Sequence, residues 1–110
     1  MVKLESLNLY GNQLTTLPDS VGQLGKLRKL YLNRNQLTTL RDLVGQLSKL
    51  LTLYLKRNRL TTLPSSLVRC PMTCLKLAEN PDLQTLPVTL RGWIASGVLM
   101  GVDEDQVEWM

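Results

Sequence analysis

The stretch Leu27-Arg28-Lys29-Leu30-Tyr31-Leu32-Asn33-Arg34-Asn35-Gln36-Leu37-Thr38-Thr39-Leu40 decides how this chain folds. Leucine holds its first, fourth, sixth, eleventh and fourteenth places, and Asn35 holds the ninth. The same line begins earlier at Leu4 and later at Leu50, so the spacing is 23 residues each time. Unit one carries Leu4, Leu7, Leu9, Asn12, Leu14, Leu17, Pro18, Val21 and Leu24. Unit two repeats this with Leu27, Leu30, Leu32, Asn35, Leu37, Leu40, Val44 and Leu47. Unit three continues with Leu50, Leu53, Leu55, Asn58, Leu60, Leu63, Pro64 and Leu67. A degenerate fourth unit follows after 22 residues, with Met72, Leu75, Leu77, Asn80, Leu83, Leu86, Pro87 and Leu90. An extra residue enters it after Asn80, and it reads as the last turn of the array.

Local chemistry assigns each position a job. In Leu30-Tyr31-Leu32 side chains alternate faces, which turns the leucines inward and Tyr31 outward. Stacked copies make short parallel strands, each followed by a crossover through the second leucine set. Asn12, Asn35, Asn58 and Asn80 stand where the chain leaves the strand. Their amides are suited to satisfy backbone groups that would each cost about 1–3 kcal/mol if buried unpaired. The Thr15-Thr16, Thr38-Thr39 and Thr61-Thr62 pairs are expected to face outward on an extended return segment. Pro18, Pro64 and Pro87 set the backbone at the start of the convex turn; Arg41 replaces proline in unit two and predicts a less rigid turn there. Gly22 and Gly45 are expected to ease the bend towards the next strand.

The pattern resembles the leucine-rich repeat family, L-x-x-L-x-L-x-x-N-x-L, over residues 2–90. The period of 23 with Leu17-Pro18 and Val21-Gly22-Gln23-Leu24 is similar to the Ras-group subclass of cytosolic scaffolds. The resemblance implies an α/β fold: a horseshoe segment of solenoid, with short parallel strands on its concave face and an irregular or short-helical convex side. Residues 1–24, 25–47, 48–69 and 70–90 are the expected repeats, and 91–110 a carboxy-terminal cap. In that cap Val88 to Ser96 reads as one or two helical turns ended by Gly97, and Val98 to Met100 as extended. Asp103 reads as an N-cap of a final turn reaching Trp109.

Composition narrows the chemistry. The 110 residues contain no histidine, which removes the commonest general base and metal ligand. No Ser-His-Asp or Cys-His set and no phosphate-cradling G-x-x-x-x-G-K-[ST] loop is present, so no catalytic residue, cofactor or metal site is expected. Cys70 and Cys74 lack the partners of a zinc site and read as reduced thiols, which points to a cytoplasmic setting. No apolar run is long enough to span a membrane, and Met1-Val2-Lys3 leads straight into the first repeat. That bare start predicts self-association through the apolar amino-terminal end, or a chain that is one piece of a larger receptor or effector.

Function then falls to the outward positions. Residues 1–91 carry 13 Lys or Arg against five acids, and residues 92–110 carry four acids and no base. Units two and three gather Lys29, Arg34, Lys56 and Arg57 around Tyr31 and Tyr54, with Lys76 in the same column as the two tyrosines and Tyr10 and Asn33 in a neighbouring one. Aromatic area with flanking cations suits a protein partner that presents an acidic surface. The same ingredients suit single-stranded nucleic acid, but the patch is small and the acidic tail could compete for it, which disfavours that partner. The expectation is a non-catalytic protein-interaction module that binds through its concave face.

Overall fold

In the computed structural model, which describes residues 3–110, the repeats coil into a solenoid 43 × 28 × 19 Å across. The expectation for Met1 and Val2 lies outside the described residues. Four three-residue strands line one side: β1 (Ser6–Asn8), β2 (Lys29–Tyr31), β3 (Thr52–Tyr54) and β4 (Cys74–Lys76). Beyond them come β5 (Thr85–Leu86), β6 (Leu99–Met100) and β7 (Glu108–Trp109). The main sheet has the order β1-β2-β3-β4-β6, and each neighbouring pair in it is parallel. β5 and β7 form a second, two-stranded parallel sheet. The α/β leucine-rich solenoid is therefore the fold.

Register explains the core. Leu7, Leu30, Leu53, Leu75 and Leu99 stand side by side across the main sheet. In the middle coils these inward columns are sealed: Leu30, Leu32, Leu37, Leu53, Leu55 and Leu60 have no exposed surface. Each such leucine contributes roughly 1.5–3 kcal/mol by leaving water. Their counterparts Leu7, Leu9 and Leu14 in the first coil are only half-buried, because among the described residues a coil covers them on one side alone. Leu7 and Leu9, with Leu4, Leu24 and Val21, open onto an apolar trough.

The asparagines stitch one coil to the next. Asn58 donates to the carbonyl of Leu55 in its own coil and to that of Leu32 in the preceding coil, each at 3.0 Å. Its Oδ1 accepts from the Leu37 amide at 3.2 Å. Asn35 and Asn80 repeat the arrangement one coil back and one coil on. Asn12 is exposed and, among the described residues, donates only to Leu9 within its own coil. To aim these amides inward, the residue before each asparagine turns left-handed: Gly11, Arg34, Arg57 and Glu79 have φ of 70, 58, 61 and 61°. Tyr10, Asn33, Arg34, Lys56 and Arg57, counted above among the outward positions, are therefore turn residues and not strand residues. The strands stop at Asn8, Tyr31, Tyr54 and Lys76, and the next columns belong to the turn.

The convex side is built from five-residue 3-10 turns at Asp19–Gln23, Asp42–Gln46 and Ser65–Arg69. Pro18 and Pro64 enter them at φ −69 and −72°, and Arg41 reaches −71° without the ring. Arg41 is held there by a bond to the Leu17 carbonyl at 3.1 Å and an ion pair with Asp19, so that turn does not stand loose for want of proline. Gly45 needs its missing Cβ for space, not for bending: a Cβ there would lie 2.6 Å from that of Ser66 in the next coil.

The carboxy-terminal segment continues the coil. A turn at Val88–Leu90 runs into a short helix, α1 (Arg91–Ala95), and Gly97 leaves it at φ 81°. Leu99 and Val107 are buried against the leucine columns, and Trp93 and Trp109 pack partly buried upon them. Asp103 caps the last turn by accepting from the Asp105 amide at 3.0 Å. The acidic tail is tied into this region: Glu104 pairs with Arg91 at 3.6 Å, and Arg91 lies 5.5 Å over the Trp109 ring.

Two substitutions test this account. Asn58→Ala leaves buried partners in two coils and is expected to lower stability by about 2–3 kcal/mol, whereas Asn12→Ala costs about 1 kcal/mol or less. Gly45→Ala is expected to cost about 1–3 kcal/mol by overpacking, whereas Gly25→Ala, which meets nothing within 4 Å, is close to neutral. Urea unfolding with a common slope measures all four.

Candidate functional site

The outward face of the main sheet is a ladder set by register. Asn8, Tyr31, Tyr54, Lys76 and Met100 stand in one row across β1, β2, β3, β4 and β6. Tyr31 and Tyr54 are half-buried and meet edge to face, ring centroids 5.0 Å apart at 63°. That geometry is favoured by the ring quadrupoles and holds both rings rigid. Lys76 continues the row, its Nζ 4.9 Å from the Tyr54 centroid. Lys29 lies two residues earlier on β2, on the same face, in the row of Ser6, Thr52 and Cys74.

The turn residues form a second group. Asn33 spends its side chain on the backbone, its Oδ1 accepting from the Lys56 amide at 3.2 Å. Arg34 lies 5.6 Å over the exposed Tyr10 ring. Arg57 is ion-paired with Glu79 from the next coil. The structure thus brings Tyr31, Tyr54 and Lys76 together, joins Tyr10 to Arg34, and diverts Arg57 into an internal pair. Glu79 falls in the same repeat column as Arg57, one unit on, and this neutralisation is not visible in the sequence alone. Sequence reading also left Met100 out of the ladder, although Leu99 falls 24 residues after Leu75 in the chain.

Charge states follow from these contacts. The hydrogen bond from Arg57 holds the Glu79 carboxyl below its ordinary value; partial desolvation opposes this, and the charges of Arg57, Lys56 and Arg34 support it. The same bond raises Arg57. Burial pushes the Cys70 thiol up, and its Sγ–H donates to the Val44 carbonyl at 3.4 Å, which suits an inert core thiol. Cys70 and Cys74 are both free. Among the described residues no three Cys, Asp or Glu side chains converge to hold a metal ion. No helix of the described residues is long and apolar enough to cross a membrane.

Comparison with known families agrees with the repeat fold. The model described as "Leucine Rich repeats (2 copies)" matches residues 2–45, and that described as "Leucine rich repeat" matches residues 25–81. The chain belongs to the leucine-rich repeat family. Among solved structures it is similar to the LRR protein LIC12759 of Leptospira interrogans, at 34% identity and a TM-score of 0.70 over 96% of this chain and 26% of that one. It is also similar to InlP of Listeria monocytogenes, at 34% identity and a TM-score of 0.57 over 76% of this chain and 22% of that one. The chain therefore spans about a quarter of the length of either structure. Comparison with curated proteins gives no match. Leucine-rich repeat domains are generally non-catalytic protein-interaction modules.

A titration checks the Arg57–Glu79 pair. Because the folded state depresses the Glu79 pKa, its contribution to stability is complete above the ordinary value of 4.5. It is lost as the pH falls through the depressed value. Carboxyl NMR is expected to show Glu79 titrating low in the parent and moving up towards its ordinary value in Arg57→Ala. Glu79→Gln is expected to remove part of the acid-limb slope of stability, and added salt to shrink the difference.

Proposed function

We propose that this leucine-rich repeat chain is a non-catalytic interaction module whose concave face holds a protein partner with an acidic surface. The Tyr31–Tyr54 edge-to-face pair flanked by Lys76 carries the proposal. Rigid, half-buried aromatic rings give contact area at little entropic cost, and lysines around them steer an acidic partner and set register. Lys29, Lys56 and Lys76 make no ion pair among the described residues, so their charge is available to a partner. Arg34 and Tyr10 extend the surface beyond the strands, while Arg57 serves it less directly through its pair with Glu79. The similarity of the 23-residue period to Ras-group repeats and the two free thiols favour a cytoplasmic setting.

A second contact surface is supported by the trough at the first coil. It measures about 800 Å³ and is lined by Leu4, Leu7, Leu9, Leu24 and Val21, with Leu4 41% exposed. An apolar hollow of that size favours self-association with a second copy. Light scattering over a dilution series is expected to show a mass that falls towards the monomer, and a constant monomer mass would remove this reading.

Affinity capture from the source cell tests the main reading. Tyr31→Ala combined with Tyr54→Ala is expected to weaken partner retention at least tenfold with the circular dichroism unchanged. Retention of every partner by that variant would count decisively against the concave face. Single-stranded oligonucleotides are expected to bind negligibly even at low salt; tight, salt-sensitive binding would transfer the patch to nucleic acid.

A further inference from the structure

Where β3 and β4 approach β6, a cavity of about 270 Å³ opens on the concave face. Its lining includes Tyr54, Lys56, Lys76, Ala78 and Met100. It exists because the fourth coil carries a small residue where the others do not: Ala78 stands in the column of Tyr10, Asn33 and Lys56. Gly101 keeps it open from the other side. Its φ is 87°, and a Cβ there would lie 2.5 Å from the Ala78 amide nitrogen, so the two backbones touch without a side chain between them.

The chemistry of this cavity is mixed in a specific way. The Tyr54 ring, the Ala78 methyl and the Met100 thioether supply apolar surface, and Met100 stays 44% exposed although it lies in the sheet. Methionine at a surface adapts to the shape of what it meets. Lys56 and Lys76 add two cations that make no ion pair among the described residues. Glu79, which also borders Lys56 electrostatically, is already taken by Arg57. The volume falls just below the roughly 300–1,000 Å³ of small-molecule sites, so it suits one side chain of a larger partner.

We propose that this cavity is the anchor point of the concave face: it takes one aliphatic side chain of an extended acidic segment. A carboxylate two residues along that segment meets Lys76 and Lys56. Residues two apart in an extended chain point to the same side about 6.5–7 Å apart, so one residue enters the cavity while the other stays with the cations. The proposal rests on the concave face being the binding face, and it names the chemistry that face selects.

NMR of the full chain, read at the methionine methyls and at the backbone amides, tests it. The probe is a blocked Gly/Ser peptide holding one leucine and one aspartate two residues apart. The Met100 methyl is expected to shift saturably. Replacing the peptide's aspartate by lysine, or its leucine by serine, is expected to weaken binding at least tenfold. Lys76→Glu and Met100→Lys, both at exposed positions, are expected to do the same with the fold unchanged. If the peptide moves Tyr31 and Lys29 signals but not Met100, the cavity proposal fails and the concave-face reading survives. If it moves nothing on the face, the proposal fails, and the capture experiment with the tyrosine variant decides the broader reading separately. Equal binding of the lysine peptide overturns the acidic class.

Discussion

A single amide, repeated once per coil, holds this structure together. The side chains of Asn35, Asn58 and Asn80 each bond the carbonyl behind them, the carbonyl of the previous coil and an amide of that coil. They are the buried polar side chains among the described residues, and each one is satisfied. The leucines supply more free energy in total, but their attraction is non-directional. The asparagines fix the register, because a coil shifted by one residue would strand buried donors and acceptors that have no water to turn to.

That constraint reaches the outer surface. Aiming the amide inward forces the preceding residue into the left-handed region, where Gly11 is at ease and Arg34, Arg57 and Glu79 are not. These left-handed residues project long charged side chains from a stiff turn. Arg34 then lies on Tyr10 and Arg57 on Glu79. The positive charge of the concave side is therefore partly spent within the molecule. Arg34 and the lysines around the tyrosine pair make no ion pair among the described residues.

The family match and the two structural likenesses support the scaffold and say little about the occupant. A solenoid of this kind separates its positions into those that must stay leucine or asparagine and those free to vary. The chain covers about a quarter of the structures it resembles. The free columns differ from coil to coil: Asn8, Tyr31, Tyr54, Lys76 and Met100 stand along one row.

The period of 23 was enough to determine the coil, its parallel strands, the inward leucines and the asparagines that satisfy the turn, since each depends only on which residue recurs at which spacing; that those asparagines also bridge to the preceding coil came from the tertiary structure. The candidate face was legible to the same depth: alternation along Leu30-Tyr31-Leu32 puts the tyrosines outward in any stacked copy. Only the tertiary structure decided how long the strands are, which turn residues go left-handed, that Arg57 is claimed by Glu79, and that Met100 joins the ladder. It also turned Gly45 from a presumed hinge into a space-saving contact and gave Arg41 a partner in place of a proline ring. These depend on distances between coils, and such distances arise from packing one coil on the next rather than from the order of residues within it.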